Sequence, residues 1–166
     1  MVGDYPNGPR NIQRLRPDFR RSLQGPGTHC PFLVTTAGVR GFDHVALPMQ
    51  NVDAMLAFYR SLGMPITEGA QLCSVHFGTQ MINFHRPSLW QSGTFTLRAP
   101  AATPPCGDLC FVWDGTPDAL KAMLDKAGAK IEIGPVNRQG GRRTTGSSLY
   151  TRDPDNNLLE FIIYGS

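Results

Sequence analysis

Thr151-Arg152-Asp153-Pro154-Asp155-Asn156-Asn157-Leu158-Leu159-Glu160-Phe161-Ile162-Ile163-Tyr164 is the stretch from which the fold is read. Asp153 to Asn157 is dense in residues that preset turn dihedrals or bond their own backbone, so it predicts a sharp reversal between two strands. Leu158 to Tyr164 is apolar, partly branched or aromatic and of strand length, and Gly165 ends it. The uninterrupted apolar neighbours predict a strand covered on both faces, with Glu160 as its one charge. A lone carboxylate buried there costs on the order of several kcal/mol, so Glu160 calls for a proton, an ion pair or a bound metal.

Working back from this hairpin, Ser147 to Arg152 is its first strand, Gly134 to Gly146 a polar loop and Lys130 to Ile133 a short strand. Before them Pro117 sits in the first turn of a helix whose Leu120, Met123 and Leu124 face inward until Gly128 stops it, and Asp108 to Trp113 is a strand. The same order occurs earlier in the chain. Phe42 to Leu47 is a strand closed by Pro48, and Asn51 or Asp53 caps a helix with Met55, Leu56, Phe58, Tyr59 and Leu62 on one stripe and Gly63 at its end. Strands then follow at Pro65 to Glu68, Gln71 to Phe77 and Met81 to His85, the last two joined at Gly78-Thr79-Gln80. The fold class is α+β, with a first βαβββ module over about 41–86, a linker over about 87–106 and a second module over about 107–166. Residues 1–38 carry Arg10, Arg14, Arg16, Arg20 and Arg21 among Pro, Gly, Asn and Gln without an apolar period, and are expected to form a poorly ordered extension.

A repeat places equivalent positions of its two copies together. Matching the helix ends and the strand starts puts His44 opposite Asp108; matching the last strands puts Asn83 opposite Glu160 and His85 opposite Ile162. Alternation sets Asn83 and His85 on one face of their strand.

Bulk properties narrow the function. A chain of 166 residues buries a substantial core, and a formal charge of +3 without a clustered basic patch gives no nucleic-acid reading. No apolar run approaches the roughly 20 residues of a membrane span. Cys30, Cys73, Cys106 and Cys110 lack paired zinc-ribbon spacing, and Cys73 and Cys110 are expected as small buried thiols. A reducing, cytoplasmic setting is the expectation; an Arg-rich beginning is compatible with organelle targeting, but Asp4, Asp18 and the lack of an amphipathic face oppose it.

Phe42-Asp43-His44-Val45-Ala46-Leu47, Ala57-Phe58-Tyr59-Arg60-Ser61-Leu62-Gly63-Met64 and Asp153-Pro154-Asp155-Asn156-Asn157-Leu158-Leu159-Glu160-Phe161 resemble the vicinal oxygen chelate superfamily of glyoxalase I, the fosfomycin and bleomycin resistance proteins and the extradiol dioxygenases. Its small single-chain glyoxalase-domain or virulence-type branch is similar through Phe77 to His85 and Gly107 to Cys110. The resemblance implies modules curled as half-barrels around a central cleft that holds one divalent metal, Mn, Fe, Zn or Ni. His44 and Glu160 match ligand positions. His85, two residues past Asn83, is favoured as the third ligand over Asp108, which stands at the remaining first-strand position and is read as a fourth or outer ligand; Asn83 itself stands where glyoxalase I carries a glutamate. The implied enzyme acts on a small substrate with vicinal oxygens, with the metal stabilising charge that develops on them and a carboxylate, Asp108 or Glu160, moving a proton. Asn83, Tyr150 and Arg143 are the candidate substrate contacts, Arg142 and Arg143 lying in a Gly-rich loop that would cover an anionic substrate. A homodimer is expected. The alternative is a non-catalytic binder that sequesters a small molecule, as bleomycin-resistance members do.

Overall fold

The computed structural model describes residues 38–165, so the expected N-terminal extension lies outside the described residues. Arg40–Ser166 form one compact unit. Its order is β1 (His44–Pro48), α1 (Val52–Ser61), β2 (Ile66–Glu68), β3 (Leu72–Phe77), β4 (Gln80–His85), α2 (Pro87–Trp90), β5 (Asp108–Val112), α3 (Pro117–Lys126), β6 (Ile133–Gln139), β7 (Thr145–Arg152) and β8 (Leu158–Ile163). Two four-stranded mixed sheets result, ordered β1-β4-β3-β2 and β5-β8-β7-β6. In each, the first strand of the module runs parallel to the last, and the helix between them is the crossover that a parallel pair requires. The two βαβββ modules of the sequence are the two sheets of the structure.

Local chemistry sets the helices. Thr116 accepts a 3.2 Å hydrogen bond from the Ala119 amide, Pro117 occupies the first turn, and Gly63 and Gly128 end α1 and α3 at φ of 77° and 68°, where a side chain would be strained. The apolar stripe of α1 buries Met55, Leu56, Phe58 and Tyr59, and that of α3 buries Leu120 and Leu124, each such side chain contributing roughly 1.5–3 kcal/mol. These stripes pack with Cys73, Val75, Ile82, Phe84, Leu149, Leu159 and Phe161 from the sheets into one core. Phe77 and Phe111 meet edge to face at 5.2 Å, so the core is continuous between the modules.

The Asp153 to Asn157 turn does more than reverse the chain. Asp155 accepts the Gln50 and Asn51 amides at 2.6 and 2.8 Å, Tyr59 donates its hydroxyl to Asp153 at 3.0 Å, and Asn157 Oδ1 accepts the Cys106 and Gly107 amides at 3.0 and 2.8 Å. The turn of module 2 thereby fixes the β1–α1 connection of module 1 and the entry to β5.

Two sequence expectations change. The predicted loop from Gly134 contains most of β6, which pairs with β7 from Val136↔Ser148 to Gln139↔Thr145 after a register shift. It is a solvent-facing edge strand, so nothing apolar marks it, and of the predicted strand Lys130 to Ile133 only Ile133 is in β6. The linker is also more structured than expected: it contains α2, and Trp90 Nε1 donates to the Met49 carbonyl at 3.0 Å.

Candidate functional site

The two modules share one register. In β1 and β4 His44 pairs with Met81, and in β5 and β8 Asp108 pairs with Leu158; Asn83 and Glu160 each lie two residues further along the last strand. His44 and Asp108 are therefore equivalent by position, as are Asn83 and Glu160.

Glu160 is half-buried on β8 and accepts a 2.5 Å hydrogen bond from Ser148 Oγ of β7 through Oε1. On either side the register places Cys110 of β5 and Tyr150 of β7 directly opposite it. The Cys110 thiol is exposed, yet desolvation, with Glu160 and Asp108 adding to it, pushes its pKa up to about 12. Burial, assisted by a hydrogen bond to Glu160, raises the Tyr150 hydroxyl against an opposing hydrogen bond donated by Arg138 Nε at 3.1 Å. The Arg138 guanidinium also stands 5.6 Å from the Tyr150 ring centre. Asp108, Glu132, Arg138, Tyr150, Arg152 and Glu160 line a cavity of about 360 Å³.

His44 is exposed at the start of β1, with Nδ1 at 2.8 Å from Asp43 Oδ1. A carboxylate only accepts, so Nδ1 carries the proton and the neutral ring keeps its lone pair on Nε2. His44 and Asp108 border a second cavity of about 260 Å³ together with Asp43, Gln80, Met81 and Cys110. Asp108 thus borders both spaces, one containing His44 and the other Glu160.

His85 lies elsewhere. It pairs with Pro48, four residues along β4 from the Met81 that pairs with His44, which at about 3.3 Å per residue is roughly 13 Å along the sheet. Its ring is buried edge-on to Phe95 at 5.1 Å, and burial, then the nearby Arg98, lower its pKa. The structure does not bring His85 together with His44 and Glu160: alternation gave its face, but not its height along the strand. Among the described residues no three His, Cys, Asp or Glu side chains gather closely enough to hold a metal ion.

Asn83 faces the same side as His44, and its Oδ1 accepts from Ser74 Oγ at 2.6 Å. Arg143 sits at φ 59° in the turn between β6 and β7, outside the set that lines the Glu160 cavity, while neighbouring Arg142 stacks over the Tyr164 ring at 4.6 Å. Sequence reading missed Cys110, Ser148 and Arg138. Ser148 was open to it through alternation, two residues from Tyr150 on one strand; Arg138 was hidden in the supposed loop.

The family model of the glyoxalase/bleomycin resistance protein/dioxygenase superfamily matches residues 41–161. Glyoxalase domain-containing protein RDO1 of Mycosarcoma maydis is 37% identical over 128 residues, 76% of this chain and 69% of that protein. Virulence protein STM3117 of Salmonella typhimurium is 34% identical over 126 residues, 74% of this chain and 83% of that one. Its crystal structure aligns with a TM-score of 0.68 over 78% of this chain and all of the other, and an integron cassette protein from V. Cholerae aligns at 0.69 with 30% identity, over 78% and 98%.

Proposed function

Because the chain belongs to the glyoxalase/bleomycin resistance protein/dioxygenase superfamily, we propose that it is a divalent-metal-dependent enzyme acting on a small substrate with vicinal oxygens. One observation carries this reading: the two side chains at the expected ligand positions are each held by a neighbouring side chain, His44 by Asp43 and Glu160 by Ser148. Asp43 meets His44 at Nδ1, so the neutral ring has its lone pair on Nε2, and Ser148 fixes Glu160 by Oε1 with Cys110 and Tyr150 against the same carboxylate. Such outer partners are what ligating imidazoles and carboxylates require. His44, Glu160 and Asp108, which borders both cavities, would have to converge to hold the metal, since among the described residues they are not gathered in one chain; the set suits a borderline or hard ion such as Mn, Fe, Zn or Ni.

When bound, the metal supplies Lewis-acid stabilisation of negative charge on the substrate's oxygens. The chain's own groups do the rest. Glu132, the remaining carboxylate of the cavity, is tied to Arg152 at 3.1 Å, so proton movement falls to the Asp108 and Glu160 pair. Tyr150 and Asn83 orient the substrate. A second copy of the chain is the partner that would draw the ligands together, its contact covering apolar side chains such as Phe42, Val112 and Ile133, which are 78%, 53% and 53% exposed. The dispersed donors favour the competing reading, a metal-free small-molecule binder.

Elemental analysis of protein purified without chelator tests the proposal. About one transition metal per chain, lost in Glu160→Ala and His44→Ala, is expected. Absence of metal after incubation with Mn, Fe, Zn and Ni would overturn the enzyme in favour of the binder.

A further inference from the structure

The Glu160 cavity contains two cations, and they are committed differently. Arg152 Nε is shared between both oxygens of Glu132 at 3.1 and 3.2 Å, and its Nη1 donates to the Asn156 carbonyl at 3.0 Å. Arg138 has no carboxylate partner among the described residues. Its Nε donates to the Tyr150 hydroxyl and its Nη1 to the Asn137 carbonyl at 3.2 Å, while Nη2 has no partner among those residues. A guanidinium presents its donors in a rigid planar fork, and two contacts already fix the orientation of this one, so little freedom is left to lose when an anion arrives.

Tyr150 completes the arrangement. Its oxygen accepts from Arg138 while its own proton is directed to Glu160, so the phenol links the guanidinium to the carboxylate. In the β7–β8 register Tyr150 stands directly opposite Glu160, so the Arg138 guanidinium that Tyr150 holds faces the same space as the carboxylate. Both residues line the same cavity as Asp108.

We infer that Arg138, held in place by Tyr150, forms an oxyanion receptor, so that the substrate carries a carboxylate or phosphonate group next to the oxygens presented to Glu160. This rests on the proposed function only for the identity of what lies on the Glu160 side. Arg138 is exposed on an edge strand, so its replacement leaves the core untouched.

The test is ligand-observed NMR titration of the full chain, metal-loaded and chelator-treated, with three small hydroxymethyl probes: glycolate, hydroxymethylphosphonate and neutral glycolamide. At least one anion is expected to bind tenfold or more tightly than glycolamide, its identity distinguishing the carboxylate from the phosphonate. Arg138→Met should abolish that preference with the thermal midpoint and metal content unchanged, Arg138→Lys should restore part of it, and Tyr150→Phe should reduce it severalfold. Anions that bind no better than glycolamide, or a preference that survives in Arg138→Met, would overturn the receptor. An Arg138-dependent preference in a protein that never takes up metal would uphold the receptor and sink the metal reading; metal uptake without the preference would do the reverse.

Discussion

Ser148 and Glu160 are joined across β7 and β8 by a 2.5 Å hydrogen bond from the Ser148 hydroxyl to Oε1. The bond is diagonal, since Ser148 pairs with Ile162 and Glu160 with Tyr150, so the glutamate leans along the sheet. Removing the hydroxyl with Ser148→Ala frees the carboxylate to rotate. Metal affinity, measured by competition with a chromophoric chelator, should fall about 10- to 100-fold, while Glu160→Ala should lose binding altogether. An affinity unchanged by Ser148→Ala would mean that Glu160 is not a ligand.

Asp43 plays the corresponding part for His44, from the neighbouring position of the chain. In Asp43→Asn the side chain can either donate or accept, so it no longer fixes which nitrogen carries the proton. Affinity should again drop about 10- to 100-fold. The imidazole signals in a nitrogen-15 NMR spectrum of the metal-free protein should shift from one tautomer towards a mixture. Retention of a single tautomer would show that Asp43 does not set it.

These outer partners show where the sequence was informative and where it was silent. The Asp153 to Asn157 turn, the stop glycines Gly63 and Gly128 and the two apolar helix stripes are local chemistry, so both modules were legible from residue order. Their equivalence then placed His44 against Asp108 and Asn83 against Glu160, which the two strand registers reproduce. What failed needed distance. His85 shares a face with Asn83, but only the pairing of β1 with β4 shows how far it lies from His44. Cys110 reads as buried because its neighbours Leu109 and Phe111 are apolar; alternation turns it to the opposite, exposed side. Arg138 escaped notice because an exposed edge strand carries no apolar signature.

Cys110 gives a chemical test of that side of the sheet. With its pKa at about 12, the thiol is almost wholly protonated at pH 8, so iodoacetamide should modify it slowly despite its exposure. In chelator-treated protein, Glu160→Gln removes one of the charges that oppose the thiolate and should accelerate alkylation severalfold, as read by peptide mass spectrometry. Equal rates in the two proteins would separate Cys110 from Glu160.

Gly134 tests the entry to β6. It sits at φ 125°, and a Cβ there would lie 2.6 Å from both Leu149 Cδ2 and the Ser148 carbonyl oxygen. Gly134→Ala combines a backbone conformation that L residues avoid with a clash against β7, and should cost about 2–4 kcal/mol by urea denaturation. The shift would displace Ser148, so metal affinity should fall with stability. A neutral substitution would show that β6 does not hold the register of β7.

Asp153 makes folding stability depend on pH. Its carboxyl is raised from the ordinary 3.8 chiefly by burial, with hydrogen bonds from Asn157 and Tyr59 opposing and the Asp155 charge assisting. The folded chain therefore binds this proton more tightly than the unfolded chain does. The resulting contribution is fully present below the unfolded value and is lost as pH rises through the folded one, so Asp153 makes stability fall with pH from 3.8 upward across that window. Asp153→Asn should flatten this slope in urea titrations carried out at a series of pH values. It should also destabilise the protein by about 2–4 kcal/mol at neutral pH, because an amide cannot accept from the Asp155 and Asn157 amides, the Asn157 side chain and Tyr59 together. The cost should appear as loosening between the modules, with amide exchange rising first at Asn51 and Gly107, which the same turn fastens. If the slope survives the substitution, the titrating group lies elsewhere.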